Sequence, residues 1–280
     1  ANAIRKSFKV TPKQYRKTLV GITSVVETAM CAKDYDSIDY SKLPSLASSR
    51  YQKAFQRNDE EGYNTYKIAL EGGESKVNAG ALYPYDIIKS MNQGGDKVVN
   101  NKQWESLPNF MEGSEERVLP VVDVSGSMEC EVGGNPNLTC MDVAISLGMY
   151  ISERNEGDFK DAFVTFSSDP QLQYLKGNLE QRLKQLRRAD WGMNTDINAV
   201  FELILKQAIS NNIPQDKMPT KVLILSDMQF NSATNSRWGN NSGWKPSVQD
   251  MVESKYEDAG YNKPDVVYWN LNASMGNFPV

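Results

Sequence analysis

A chain of 280 residues with 40% hydrophobic and 24% charged side chains has apolar material for one large core or two smaller ones. Its 31 basic and 35 acidic residues leave a formal charge of −4, which argues against general affinity for phosphate backbones or anionic membrane. Histidine is absent, which excludes Ser-His-Asp and Cys-His catalysis and the HExxH zinc site.

The start, ANAIRKSFKV, lacks the apolar stretch of a signal peptide, and no apolar run approaches a bilayer span. The expectation is a soluble protein with no membrane partner, cytoplasmic or, if viral, in a host cytoplasm or virion. Thr11, Pro12 and Gln14 form a capping-box start. Tyr15, Leu19, Ile22, Val26 and Met30 then recur at helical spacing, predicting one amphipathic helix to about Ala32. Arg5, Lys6, Lys9, Lys13, Arg16 and Lys17 cluster on or before that helix, either as a solvated face or as a contact for RNA or an acidic protein. Further helices are expected over 45–57 and 60–71, the latter stopped by Gly72 and Gly73.

The polar, Gly- and Asn-rich stretch 91–117 reads as a linker. The boundary is placed near 113, giving a helical N-terminal region with linker over 1–112 and a second domain over 113–280. Beyond it, apolar strands alternate with helices. Strands are expected at 118–123, 162–166, 221–227 and 265–271, and helices around 139–153, 178–188, 196–210 and 247–258. That alternation predicts an α/β fold, a doubly wound, mostly parallel sheet covered on both faces. Pro120 is compatible with a strand only near its beginning, and 171–176 is expected as an antiparallel hairpin partner of 162–166. The cysteines, Cys31, Cys130 and Cys140, are an odd number expected as reduced thiols, a Cys130–Cys140 bridge being the lesser alternative.

With no histidine and three scattered cysteines, any metal must be held by oxygen, which selects a hard cation: magnesium, manganese or calcium. In an open α/β sheet, ligands sit beyond the carboxyl ends of the strands. There VVDVSGSM places Asp123 at a strand end with Ser125 and Ser127 on the following turn. WGMNTDI supplies Thr195 ahead of a helix, and VLILSD supplies Asp227 at another strand end. Each element has a plainer reading: a Ser-Gly-Ser turn is often only a turn, and Thr195 or Asp196 can simply cap the next helix. Together they form a five-donor set whose two carboxylates about neutralise a divalent ion. Trp238 and Trp244, in the polar loop after Asp227, either grip a partner or anchor the loop.

This set resembles the von Willebrand factor A family and its metal-ion-dependent adhesion site (MIDAS). The family's Asp-x-Ser-x-Ser matches Asp123, Ser125 and Ser127, its loop threonine matches Thr195 and its later aspartate matches Asp227. The resemblance implies a Rossmann-like fold over roughly 115–280, with magnesium completed by an acidic side chain of a partner protein. After Leu271 only NASMGNFPV remains, where the family normally adds a strand and a closing helix, so a fragment or shortened form is expected. Segments such as NAGALYPYDI and PDVVYWNL also make the whole chain resemble an uncharacterised family of phages, large DNA viruses and plants. A more distant resemblance, in architecture alone, is to the Ro ribonucleoprotein, which joins an RNA-binding helical ring to a von Willebrand A domain.

The expected function is therefore a non-enzymatic, metal-dependent protein-binding or adhesion module, in a phage or viral setting if the family resemblance extends to it. The alternative is RNA binding by a Ro-like helical region. A metal-assisted phosphohydrolase has least support, because no GxxxxGKS or equivalent phosphate cradle is present.

Overall fold

The computed structural model describes residues 2–22, 25–133, 135–166, 170–187, 197–227 and 246–272. The chain divides into two compact units, Ala1–Ala81 with Val98–Ser106, and Leu82–Lys97 with Leu107–Val280.

The first unit is helical: α1 (Asn2–Ser7), α2 (Pro12–Ile22), α3 (Val26–Ala32), α4 (Ser45–Asn58) and α5 (Glu60–Glu71). Helix α6 (Pro84–Asn92) belongs to the second unit, and α7 (Lys97–Glu105) returns almost entirely to the first. The core of this unit is aromatic. Tyr40 meets Phe55 and Tyr63 edge-on, with both centroid separations 5.1 Å. Its hydroxyl donates to Asp59 Oδ2 at 2.6 Å, and Asp59 also caps α5 by accepting from the Gly62 N–H.

Two expectations change here. The single helix to Ala32 is interrupted, because Val25 is extended (φ −119, ψ 151) and begins α3 anew. The sequence Ile22-Thr23-Ser24-Val25-Val26 is β-branched or hydroxylated throughout, the composition least suited to a helix interior. The stretch 91–117, expected as a linker, contains α7, which buries Val99, Asn100, Gln103 and Trp104. Gln52 Nε2 donates to Asn100 Oδ1 at 3.0 Å, tying α4 to α7 through a buried amide pair.

The second unit is mixed α/β. Its strands are β1 (Val118–Asp123), a short hairpin of β2 (Glu131–Val132) with β3 (Asn135–Thr139), β4 (Ala162–Phe166), β5 (Gln171–Tyr174), β6 (Lys221–Ser226) and β7 (Asp265–Asn270). The main sheet has the order β5-β4-β1-β6-β7, parallel except for β5, which pairs antiparallel with β4. Helices α8 (Cys140–Arg154), α9 (Leu179–Arg187), α10 (Ile197–Ser210) and α11 (Pro246–Asp258) accompany it.

Alternation along the strands sends side chains to opposite faces. Leu119, Val121, Ala162, Val164, Val222 and Ile224 share one core with Val200, Phe201 and Ile204 of α10 and Val252 and Tyr256 of α11. Val122 and Phe163 point the other way, toward α8, where Gly148 admits a close approach. A Cβ there would lie 2.6 Å from the Phe163 ring and 2.7 Å from a Val122 methyl. Helices therefore cover both faces. Thr139 caps α8 reciprocally with Asp142, and α6 lies against α8.

Pro120 lies in the middle of the sheet rather than at its margin, in register with Leu223. The ladder to β4 begins only at Val121, so the proline is flanked by one strand instead of two. Among the described residues no helix is long and apolar enough to cross a membrane.

Candidate metal centre

Strands β1 and β6 are parallel neighbours with Val122 opposite Leu225, so Asp123 and Ser226 emerge side by side at the carboxyl edge. Beyond β1 the chain turns to one side through α8 into β4, while β6 lies on the other side, so this edge is where strand order reverses. Ser226 Oγ donates to Asp123 Oδ2 at 2.6 Å, and the Ser125 N–H donates to Oδ1 at 2.9 Å. Both carboxylate oxygens are thus fixed by neutral donors. Among the described residues no basic side chain pairs with Asp123, which is only 2% exposed.

A 3-10 turn, Gly126–Glu129, follows at once. It brings the Ser125 and Ser127 hydroxyl oxygens within 3.0 Å of each other, both half-buried. Met128 is fully buried beneath the turn, and its Sδ accepts from the Asp227 N–H at 3.1 Å. That contact ties the serine turn after β1 to the residue just after β6. Asp227 is itself fully buried. Four of the five expected donors, Asp123, Ser125, Ser127 and Asp227, therefore come from two adjoining strand ends. Thr195 lies outside the described residues, as do Asp196, Trp238 and Trp244.

Burying carboxylates at adjoining strand ends is costly unless positive charge or donors compensate. The donor chemistry fits a hard divalent cation: oxygen atoms only, two of the side chains anionic and two neutral. Among the described residues no cluster of three or more His, Cys, Asp or Glu side chains gathers to hold a metal, and this set contributes only two such side chains, Asp123 and Asp227. Nearby, burial pushes the Cys140 thiol up to about 12, with contact from Cys130 and the negative charge of Asp227 adding to it.

Sequence reasoning missed Ser226 and Met128 as parts of the site. Ser226 precedes Asp227 in the same VLILSD run, but its role depends on β6 lying beside β1. Nothing in the sequence marks Met128 as the contact of Asp227.

A family model described as "Domain of unknown function (DUF7788)" matches residues 117–280, and a second, "Domain of unknown function (DUF2828)", matches residues 1–118. The "Uncharacterized protein L728" of Acanthamoeba polyphaga mimivirus is 34% identical over 294 residues, covering 98% of this chain and 49% of that protein. The chain thus spans about half the length of that relative. Among solved structures, that of the Deinococcus radiodurans RO (RSR) protein is similar with a TM-score of 0.42 at 17% identity, over 91% of this chain and 55% of that one.

Proposed function

We propose that this chain, which belongs to the family described as Domain of unknown function (DUF7788), is a metal-dependent protein-binding module that is not an enzyme. Asp123, Ser125, Ser127, Asp227 and Thr195 would hold magnesium, with manganese or calcium as substitutes, in the manner of a von Willebrand A adhesion site. The observation carrying this reading is the pre-arranged edge itself. The Asp123 carboxylate is buried and clamped by Ser226 and the Ser125 N–H, beside two touching hydroxyls and a second buried aspartate.

A hard cation supplies there a strongly electrophilic centre that favours a further anionic ligand. The chain's own residues do the rest. Ser226 orients Asp123, and Met128 holds the serine turn against the Asp227 backbone, so the donors need little reorganisation on binding. An Asp or Glu side chain of a partner protein is the ligand such a centre selects.

The test is a peptide-display selection on the immobilised chain in magnesium, eluted with chelator. Eluted peptides enriched in Asp or Glu, with the enrichment lost on an Asp227→Ala chain, support the reading. Equal recovery from both chains would remove it.

One observation favours a second reading, RNA binding by the helical region. Helix α2 buries none of its residues, and Lys13, Arg16 and Lys17 stand exposed on it. Filter binding of single-stranded RNA would then fall steeply with salt and be lost on neutralising Arg5, Lys6 and Lys13. No retention at low salt disposes of it.

A further inference from the structure

Cys130 and Cys140 meet at the base of the β2–β3 hairpin. Glu131 is opposite Thr139, and one position further the Cys140 N–H donates to the Cys130 carbonyl at 3.0 Å. The two sulfurs are 3.3 Å apart, the Cys130 thiol donating to the Cys140 sulfur. Cys130 is half-buried and so reachable from solvent, whereas Cys140 is fully buried and rests on the Leu271 carbonyl. Cys31, the remaining thiol, is exposed on α3.

We propose that Cys130 and Cys140 are a redox modification site that closes to a disulfide by exchange with a small-molecule disulfide such as oxidised glutathione. The Cys130 thiolate attacks one sulfur of the small disulfide and releases one small thiol. The Cys140 sulfur then attacks the Cys130 sulfur of the mixed disulfide, its proton passing to the departing small thiolate, and releases the second small thiol. Two cysteine thiols are oxidised, one external disulfide is reduced, and the two cysteine protons end on the two small thiols.

The geometry assigns each partner its step: the accessible sulfur attacks the small disulfide, and the buried one, already in contact, resolves the mixed disulfide. The sulfurs must close from 3.3 Å to about 2.05 Å, a movement within reach of side-chain rotation at a hairpin base. The new bond would staple the end of the serine turn to the first residue of α8. Neither sulfur is one of the proposed metal donors, so this inference stands or falls separately from the metal reading.

The experiment uses the full chain with Cys31→Ser, an exposed position whose removal clears the confounding thiol. After incubation with oxidised glutathione, the chain is denatured, labelled with N-ethylmaleimide and weighed by intact mass spectrometry. The expected chain is two hydrogens lighter, takes no label, yields a Cys130–Cys140 linked peptide and recovers both labels after dithiothreitol. Adding Cys140→Ser should trap glutathione on Cys130. Two labels after incubation, or a stable glutathione adduct on Cys130 with Cys140 still labelled, would overturn the proposal.

Discussion

At the scale of single residues, the site depends on how Asp123 is held. Its Oδ2 accepts a short bond from a wholly buried serine, a contact that exists only because β1 and β6 adjoin. Ser226→Ala removes that donor while leaving every proposed metal-binding oxygen in place. Its expected effects are a loss of about 1–3 kcal/mol of stability in urea unfolding and a fall of roughly 10-fold or more in manganese affinity. Unchanged affinity with reduced stability would mean that Ser226 serves the fold alone. Asp123, Ser125, Ser127 and Asp227 could be picked from the sequence because strand ends and a hydroxyl-rich turn leave a linear trace. Ser226 could not, since its partner lies on a strand about a hundred positions away.

Among elements, the strands of the α/β unit were legible because apolar runs bounded by turn residues leave few alternatives, and the hairpin of β4 with β5 was legible from proximity. Helix α7 was not. Its buried face includes Asn100, which accepts from Gln52 of α4, and Gln103, which donates to Ser48 of α4, and these contribute polar contacts rather than apolar periodicity. The β2–β3 hairpin was missed for a similar reason: NPNLT carries little strand character, and its pairing with Glu131 and Val132 rests on backbone bonds.

Helix α8 depends on a different kind of detail. Gly148 costs helix propensity, yet it is needed where the Val122 methyl and the Phe163 ring leave no room for a Cβ. Gly148→Ala should therefore destabilise by about 1–3 kcal/mol, against the gain that the same change gives on an open helix face. Gly21, whose Cβ would meet nothing within 4 Å, provides the control on α2, and Gly21→Ala should be neutral or stabilising in the same urea titration.

For the whole molecule, the absence of histidine and the burial of tyrosine set the response to pH. Burial holds Tyr66 and Tyr268 up at about 12 and raises Tyr40 and Tyr256 as well, Tyr40 also through its bond to Asp59. An unfolded tyrosine ionises near pH 10. The folded state therefore keeps protons that the unfolded chain releases, and the stability held below about pH 10 is lost as pH rises toward 12. Thermal unfolding should be nearly flat between about pH 6 and 8, where no histidine titrates. It should then fall steeply above about pH 10, with tyrosinate absorbance appearing together with the loss of helical signal. Tyrosinate formation well ahead of unfolding would show these rings to be accessible.

The central claim, that Asp123 and its neighbours form a divalent-cation site, is tested most directly by calorimetric titration of magnesium and manganese into the chelator-stripped chain and its Asp123→Ala variant. The account predicts saturable binding at one site per chain, abolished in the variant. An intact, folded chain that takes up neither ion would contradict it.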